Sequence, residues 1–255
     1  MQLIILAGGL GSRLSEETST RPKPLVEIGG MPIIWHIMKI YASHGVKNFV
    51  ICLGYKGYLI KEFFANLRLH SSNISISADG SVKYHGEPAS DWTITLVDTG
   101  AATQTGGRLL RVRDFLDGPE FFMTYGDGLG DVDITKLRDF HQQNGCLATV
   151  TATRPTARFG ALELDGHLVN AFVEKPVAEG GWINGGFFVL NKGVLDYISD
   201  DGTLWEQEPM KELAANGQLA AFQHDGFWQP MDTLREKQIL EELWSSGNAP
   251  WKVWD

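Results

Sequence analysis

The chain has 255 residues, 43% of them hydrophobic, with 29 glycines and 10 prolines. That composition supports one large α/β domain and excludes a disordered chain. No apolar run reaches the roughly 18–20 residues of a membrane helix. The net charge of −9, with no basic stripe, argues against nucleic acid as a partner, so any cations that hold a polyanionic ligand are few and local. Cys52 and Cys146 lie far apart among apolar residues and outside any C-x-x-C pair. They read as reduced core thiols of a cytoplasmic protein.

In chain order, the first residues lack the basic start and long apolar core of a secretory signal, and residues 3–6 read as a buried strand. A helix is predicted over 32–43, where Pro32 suits the first turn and Ile33, Ile37, Ile40 and Tyr41 recur at helical spacing. Strand 49–53 and helix 59–67 follow, then a polar stretch, 68–93, without clear periodicity that reads as an insertion. Strand 94–97, helix 105–115, strand 121–125, helix 134–144 and strand 147–152 continue the alternation. This rhythm predicts a Rossmann-like, doubly wound, mixed and mostly parallel sheet. Beyond Pro155 the short strands 160–164, 169–173 and 187–190, with an Asp165-Gly166 turn, predict a small additional β region. Helix 207–216, strand 220–223 and helix 234–245 close the chain as one domain, with no Ser/Gly/Pro linker inside it.

Four segments carry chemistry. Leu6-Ala7-Gly8-Gly9-Leu10-Gly11-Ser12-Arg13-Leu14 directly follows the first strand. Glycines there let backbone N–H groups approach an anion, and Arg13 adds a permanent cation suited to a phosphate. Leu14 occupies the third glycine position of a dinucleotide fingerprint, and the lysine–hydroxyl ending of a P-loop is missing. A flexible loop with a solvated arginine is the plainer alternative. Arg21-Pro22-Lys23-Pro24 presents Lys23 from a segment that its prolines bias toward extended geometry, although a surface turn fits the same residues.

Thr124-Tyr125-Gly126-Asp127-Gly128 ends an apolar strand, where ligands of open α/β sheets bind. Its carboxylate is well sited for a phosphate-bound Mg²⁺, or is an ordinary Asp-Gly turn. In Phe227-Trp228-Gln229-Pro230-Met231-Asp232-Thr233, Asp232 offers a second carboxylate, but Thr233 and Glu236 have capping-box spacing, so Asp232 could simply decorate a helix start. Thr105-Gly106-Gly107-Arg108, Glu174-Lys175-Pro176 and Asn184-Gly185-Gly186 are weaker signals. The seven histidines show no ligand spacing and receive no catalytic role.

Together these blocks resemble the sugar-1-phosphate nucleotidyltransferase superfamily. Within it, Gly54-Tyr55-Lys56-Gly57-Tyr58, Ile183-Asn184-Gly185-Gly186-Phe187-Phe188, Trp205-Glu206-Gln207-Glu208-Pro209 and Phe227–Arg235 are similar to the glucose-1-phosphate cytidylyltransferase family, and the likeness spans nearly the whole chain. The resemblance implies CTP and glucose 1-phosphate as partners, Mg²⁺ as cofactor, and CDP-glucose for deoxysugar and O-antigen synthesis as product. It implies that Leu6, Ala7, Gly8, Gly9, Leu10, Gly11, Ser12, Arg13, Lys23, Thr103, Arg108 and Gly126 bind nucleotide, with Arg13, Lys23 and Asp127 catalytic. Asp127 and Asp232 hold the metal, while Glu174, Lys175, Asn184 and Gly185 meet the sugar phosphate. It further implies a nucleotide-binding part at about 1–130, a sugar-phosphate part at about 131–255, and a homo-oligomer. The Trp251/Trp254 tail reads as a subunit contact on aromatic grounds. Another base or sugar, a nucleotide-sensing domain without turnover, and a dinucleotide oxidoreductase remain as alternatives.

Overall fold

A computed structural model describes residues 1–87, 90–154, 161–165, 168–173 and 181–254. The strands are β1 (Leu3–Ala7), β2 (Glu27–Ile28), β3 (Met31–Pro32), β4 (Asn48–Leu53), β5 (Asn73–Ile76), β6 (Val82–His85), β7 (Thr93–Asp98) and β8 (Glu120–Tyr125). They continue as β9 (Gly128–Gly130), β10 (Ala148–Thr153), β11 (Ala161–Asp165), β12 (Leu168–Val173), β13 (Ile183–Asn191), β14 (Leu219–His224) and β15 (Trp228–Pro230). The helices are α1 (Ser15–Thr18), α2 (Ile33–Ser43), α3 (Gly57–Ala65), α4 (Leu67–Ser71), α5 (Thr105–Arg111), α6 (Ile134–Asn144), α7 (Glu208–Ala215) and α8 (Leu234–Ser245).

Seven strands form the central sheet in the order β14-β10-β13-β8-β1-β4-β7. Every pairing is parallel except the two made by β13, so this strand alone in the sheet runs against the rest. The mixed, mostly parallel sheet expected from the sequence is therefore present, although the strand at 187–190, expected in the small additional β region, lies within it as part of β13, and β11 and β12 form a separate pair. Its strands are apolar at successive positions because helices cover both faces. Leu3, Ile5, Phe49, Ile51, Phe122 and Phe187 point into one core with α2 and α8. Ile4, Leu6, Val50, Cys52, Met123 and Phe188 point into the other with α5 and α7.

Several expectations are revised. The stretch 68–93 is not featureless: β5 and β6 pair as an antiparallel hairpin, and β7 begins at Thr93. The hairpin side chains are mostly exposed, so no apolar periodicity marked it. Pro32 does not sit in the first turn of α2 but caps it with an extended ψ of 145°. The helix predicted over 105–115 ends at Arg111, and Arg113–Phe115 form a separate 3-10 turn. Cys146 is only half-buried, whereas Cys52 is fully buried, and both thiols are free. Among the described residues, no helix is long and apolar enough to cross a membrane.

The C-terminal tryptophans turn inward. Trp251 is fully buried and stacks on Phe227, and Trp254 meets Trp35 edge-on. The tail is thus packed within its own chain, because these rings find an apolar groove between α2 and α8. A subunit contact through Trp251 is not available.

Candidate active site

The chain leaves β1 toward β4 and β7 on one side, then crosses to β8 on the other. A crevice opens outside the strand ends wherever an α/β sheet reverses its winding in this way. The Gly8–Arg13 loop follows β1 and Gly126-Asp127 follows β8, so the two strongest sequence signals flank this switch point. Because β13 is reversed, its first residues, Asn184 and Gly185, reach the same edge. A cavity of about 600 Å³ occupies the crevice. Leu6, Ala7, Gly8, Gly9, Leu10, Gly11, Ser12, Arg13, Lys23, Thr103, Arg108, Gly126 and Asp127 all line it, joined by Gln104, Thr105 and Tyr125.

Arg13, Lys23 and Asp127 of the cavity wall meet Asp232, which lies just behind it. The Lys23 ammonium donates to Asp127 Oδ2 and to Asp232 Oδ1, each at 2.7 Å. Arg13 Nη1 lies 2.8 Å from Asp232 Oδ2. Lys23 is buried, so the surface-turn alternative fails. The extended geometry expected of Lys23 before Pro24 is not adopted: Pro22 is extended at ψ 148°, and Lys23–Leu25 closes a 3-10 turn that aims the lysine inward. Burial would lower the pKa of Lys23, but Asp127 and Asp232 outweigh it and hold the pKa above the ordinary lysine value.

Asp232 is brought to this point by a small sheet. β9 pairs antiparallel with β15, and Met231 N–H donates to the Asp127 carbonyl at 2.8 Å. The capping box anticipated at α8 is present, and it consists of Thr233 and Glu236. Glu236 also accepts from the Asp232 backbone N–H at 2.8 Å, leaving the Asp232 carboxylate free for the cations.

Arg108 is buried and has a different task. Its Nη1 donates to Leu53 O at 2.9 Å, Thr99 Oγ1 at 2.7 Å and Gly100 O at 2.9 Å, and its Nη2 to Gly8 O at 3.1 Å. One guanidinium thus ties the glycine loop to the ends of β4 and β7. Gly8 is required here by close approach, since a Cβ would fall 2.1 Å from Arg108 Nη1. Burial pushes the pKa of Arg108 below the usual arginine value, yet the group stays charged. Beside the cavity it adds fixed positive potential and a rigid frame.

The proposed sugar side is only partly in view. Asn184 is exposed beyond Tyr125, and the Gly185 carbonyl accepts from Trp228 Nε1 at 2.7 Å. Glu174 and Lys175 lie outside the described residues. Sequence reasoning passed over two neighbours, Tyr125 and Glu206, whose side chains bond to each other at 2.6 Å. Each lay inside a quoted motif block, but no local pattern links residues that are 81 positions apart.

Glycine loop, clustered acids and cations, and a reversing parallel sheet make a site suited to a phosphate-bearing ligand. A family model described as nucleotidyl transferase matches residues 2–235, and the chain belongs to that family. Its relatives include the glucose-1-phosphate cytidylyltransferases of Salmonella typhi and Salmonella typhimurium, each 56% identical over 257 residues and covering all of both chains. Among solved structures, HddC from Yersinia pseudotuberculosis superposes with a TM-score of 0.70 over 95% of this chain and 99% of that one. At 21% identity that likeness shows the fold alone.

Proposed function

We propose that the chain transfers a cytidylyl group from CTP to α-D-glucose 1-phosphate, giving CDP-glucose and pyrophosphate. The observation that carries the reaction class is the meeting of Arg13, Lys23, Asp127 and Asp232 beside the glycine loop. Cytosine and glucose are supported by the full-length relatives at 56% identity.

A phosphate oxygen of glucose 1-phosphate attacks the α-phosphorus of CTP, and the bond to the β-phosphate breaks with its electron pair leaving on pyrophosphate. No general base is needed, because a phosphate monoester with a second pKa near ~6 is mostly dianionic at neutral pH. The barrier is then charge crowding, which fixed cations relieve. The backbone N–H groups of the glycine loop and Arg13 face the phosphates, and Lys23 holds the two carboxylates in register. Arg13 is 70% exposed, so its ion pair with Asp232 contributes only about 0–1 kcal/mol and its guanidinium can exchange the carboxylate for a phosphate.

Asp127 and Asp232 are suited to Mg²⁺. Both converge on the Lys23 ammonium at 2.7 Å, which sets the two carboxylates side by side, and Mg²⁺ would take oxygens that Lys23 does not hold. Among the described residues, no group of three or more Asp, Glu, His or Cys forms a metal cage. Two carboxylates plus substrate oxygens and water match the habit of this ion. When bound, it would neutralise phosphate charge in the transition state. A homo-oligomeric state and a cytoplasmic setting belong to the same proposal and rest on family resemblance.

The test is pyrophosphate release with each of four nucleoside triphosphates against a panel of sugar 1-phosphates. CTP with glucose 1-phosphate should exceed every other pair by more than about tenfold, a margin one lost buried hydrogen bond can supply. Preference for another nucleotide overturns the cytidylyl assignment. Release with no pair leaves a binding domain without turnover.

A further inference from the structure

We infer that Tyr125 and Glu206 are positioning residues that fix the direction in which Asn184 offers its amide to the sugar. The inference rests on the proposed function, and on the expectation from the family resemblance that Asn184 meets the sugar phosphate, and deepens both. No cavity-lining alone suggests it; the hydrogen-bond directions do.

Asn184 Oδ1 accepts from the Gly186 N–H at 2.8 Å, and Asn184 Nδ2 donates to Tyr125 Oη at 3.3 Å. A tyrosine oxygen receives that proton well when its own proton points elsewhere. Here it points to Glu206 Oε1 at 2.6 Å. The second oxygen, Glu206 Oε2, accepts from Thr105 Oγ1 at 2.6 Å, and Thr105 Oγ1 accepts from the Trp205 N–H at 2.9 Å. An ionised carboxylate accepts only, so both arms run toward Glu206 and every proton in the set has one direction. Bonds polarised in a chain support one another.

The geometry also holds the ring. Gly186 has φ 80°, and a Cβ there would lie 2.7 Å from Tyr125 Cδ2, so the β13 backbone closes on the tyrosine face. Phe188 meets the same ring edge-on at 6.1 Å. Tyr125 and Thr105 line the same cavity as the glycine loop, whereas Asn184 lies outside its lining and is reached through Tyr125. The set therefore spans from the start of α5 to the first residues of β13. With its amide oriented, Asn184 keeps one N–H and one oxygen lone pair for a ligand. That pair of functions matches two neighbouring hydroxyls of a hexose.

Tyr125→Phe keeps the ring and removes only the relay, and Glu206→Gln replaces the common acceptor with a group that also donates. Each variant, with Asn184→Ala and Tyr125→Phe/Asn184→Ala, is titrated with CDP-glucose and with CDP, and folding is checked by thermal melting. Tyr125→Phe and Glu206→Gln should weaken CDP-glucose about tenfold and leave CDP within about twofold, the effect of one misoriented hydrogen bond. In kinetics the same variants should raise KM for glucose 1-phosphate and leave KM for CTP unchanged. Because the tyrosine acts through the asparagine, adding Tyr125→Phe to Asn184→Ala should change affinity by less than about twofold. Equal losses for both nucleotides, or multiplicative losses in the double variant, overturn the relay. Wild-type protein with no affinity for CDP-glucose overturns the functional reading and the relay with it. Wild-type binding with variants that match it overturns the relay alone.

Discussion

The two ends of α8 sit in opposite kinds of environment. At its start, Asp232 shares Lys23 with Asp127 and takes Arg13 from solvent, so charge is concentrated and partly exchangeable. At its end, Trp244 packs on His36 and Trp251 in a buried aromatic cluster, with the Lys39 ammonium only at its rim, over Trp35 and Trp254. His36 is fully buried: its Nε2–H donates to Ile28 O at 2.9 Å, and its Nδ1 accepts from Trp251 Nε1 at 3.4 Å. Both clusters unite segments more than two hundred residues apart, yet one leaves ions ready to change partners and the other consumes its polar atoms internally. The lesson is that burial without charge fixes a fold, whereas charge at a wet cavity prepares chemistry.

Three changes would break or sharpen that contrast. The largest effect is expected from Asp127→Asn, which removes one of the two carboxylates of the charged cluster. Pyrophosphate release should fall about a thousandfold, the range seen when a preorganised charged group is lost at a reacting phosphate. Added Mg²⁺ should restore only part of it, and an unaltered Mg²⁺ dependence would remove the metal role from this residue.

The aromatic cluster should answer to acid instead. Burial depresses the pKa of His36 to about 4, against 6.5 for an ordinary histidine, despite the opposing hydrogen bond to Ile28. The unfolded chain then binds the proton more readily than the native chain. Its contribution to stability is complete above pH 6.5 and is lost as pH falls toward 4, by about 3 kcal/mol in total. Denaturant melts between pH 7 and 4 should show this loss, and His36→Phe should flatten the acid slope; an unchanged slope removes His36 as its source.

Arg108 lies between the two cases, being a charge that is buried and holds backbone. Arg108→Lys keeps the charge but not the fork of donors. It should lower stability by about 2 kcal/mol, because the Gly100 carbonyl loses its donor and the Gly8 and Leu53 carbonyls keep only Tyr55 and Thr99, and raise KM for CTP more than it lowers kcat. A variant of normal stability and KM would show that the loop frame stands without the clamp.

The layout of strand and helix was readable because both faces of the sheet are covered, which forces apolar runs such as Leu3–Leu6 and Phe121–Met123. The β5–β6 hairpin was missed for the converse reason: its side chains face solvent and carry no core pattern. The inward turn of Trp251 was missed because an aromatic tail looks the same in sequence whether it packs on its own chain or on another.

From the sequence alone came the glycine loop with Arg13, the proline-flanked Lys23 and the strand-ending Asp127, since each depends on neighbours within a few residues. Local chemistry could not decide whether Asp232 was a helix cap or a ligand, whether Lys23 lay in a surface turn, or that Arg108 clamps three backbones. Those depended on the β9–β15 pairing, the reversed β13 and the crossing at β1, which set distant residues within 3 Å of one another. Spacing along the chain specifies what a residue can do; the sheet order determines what it meets.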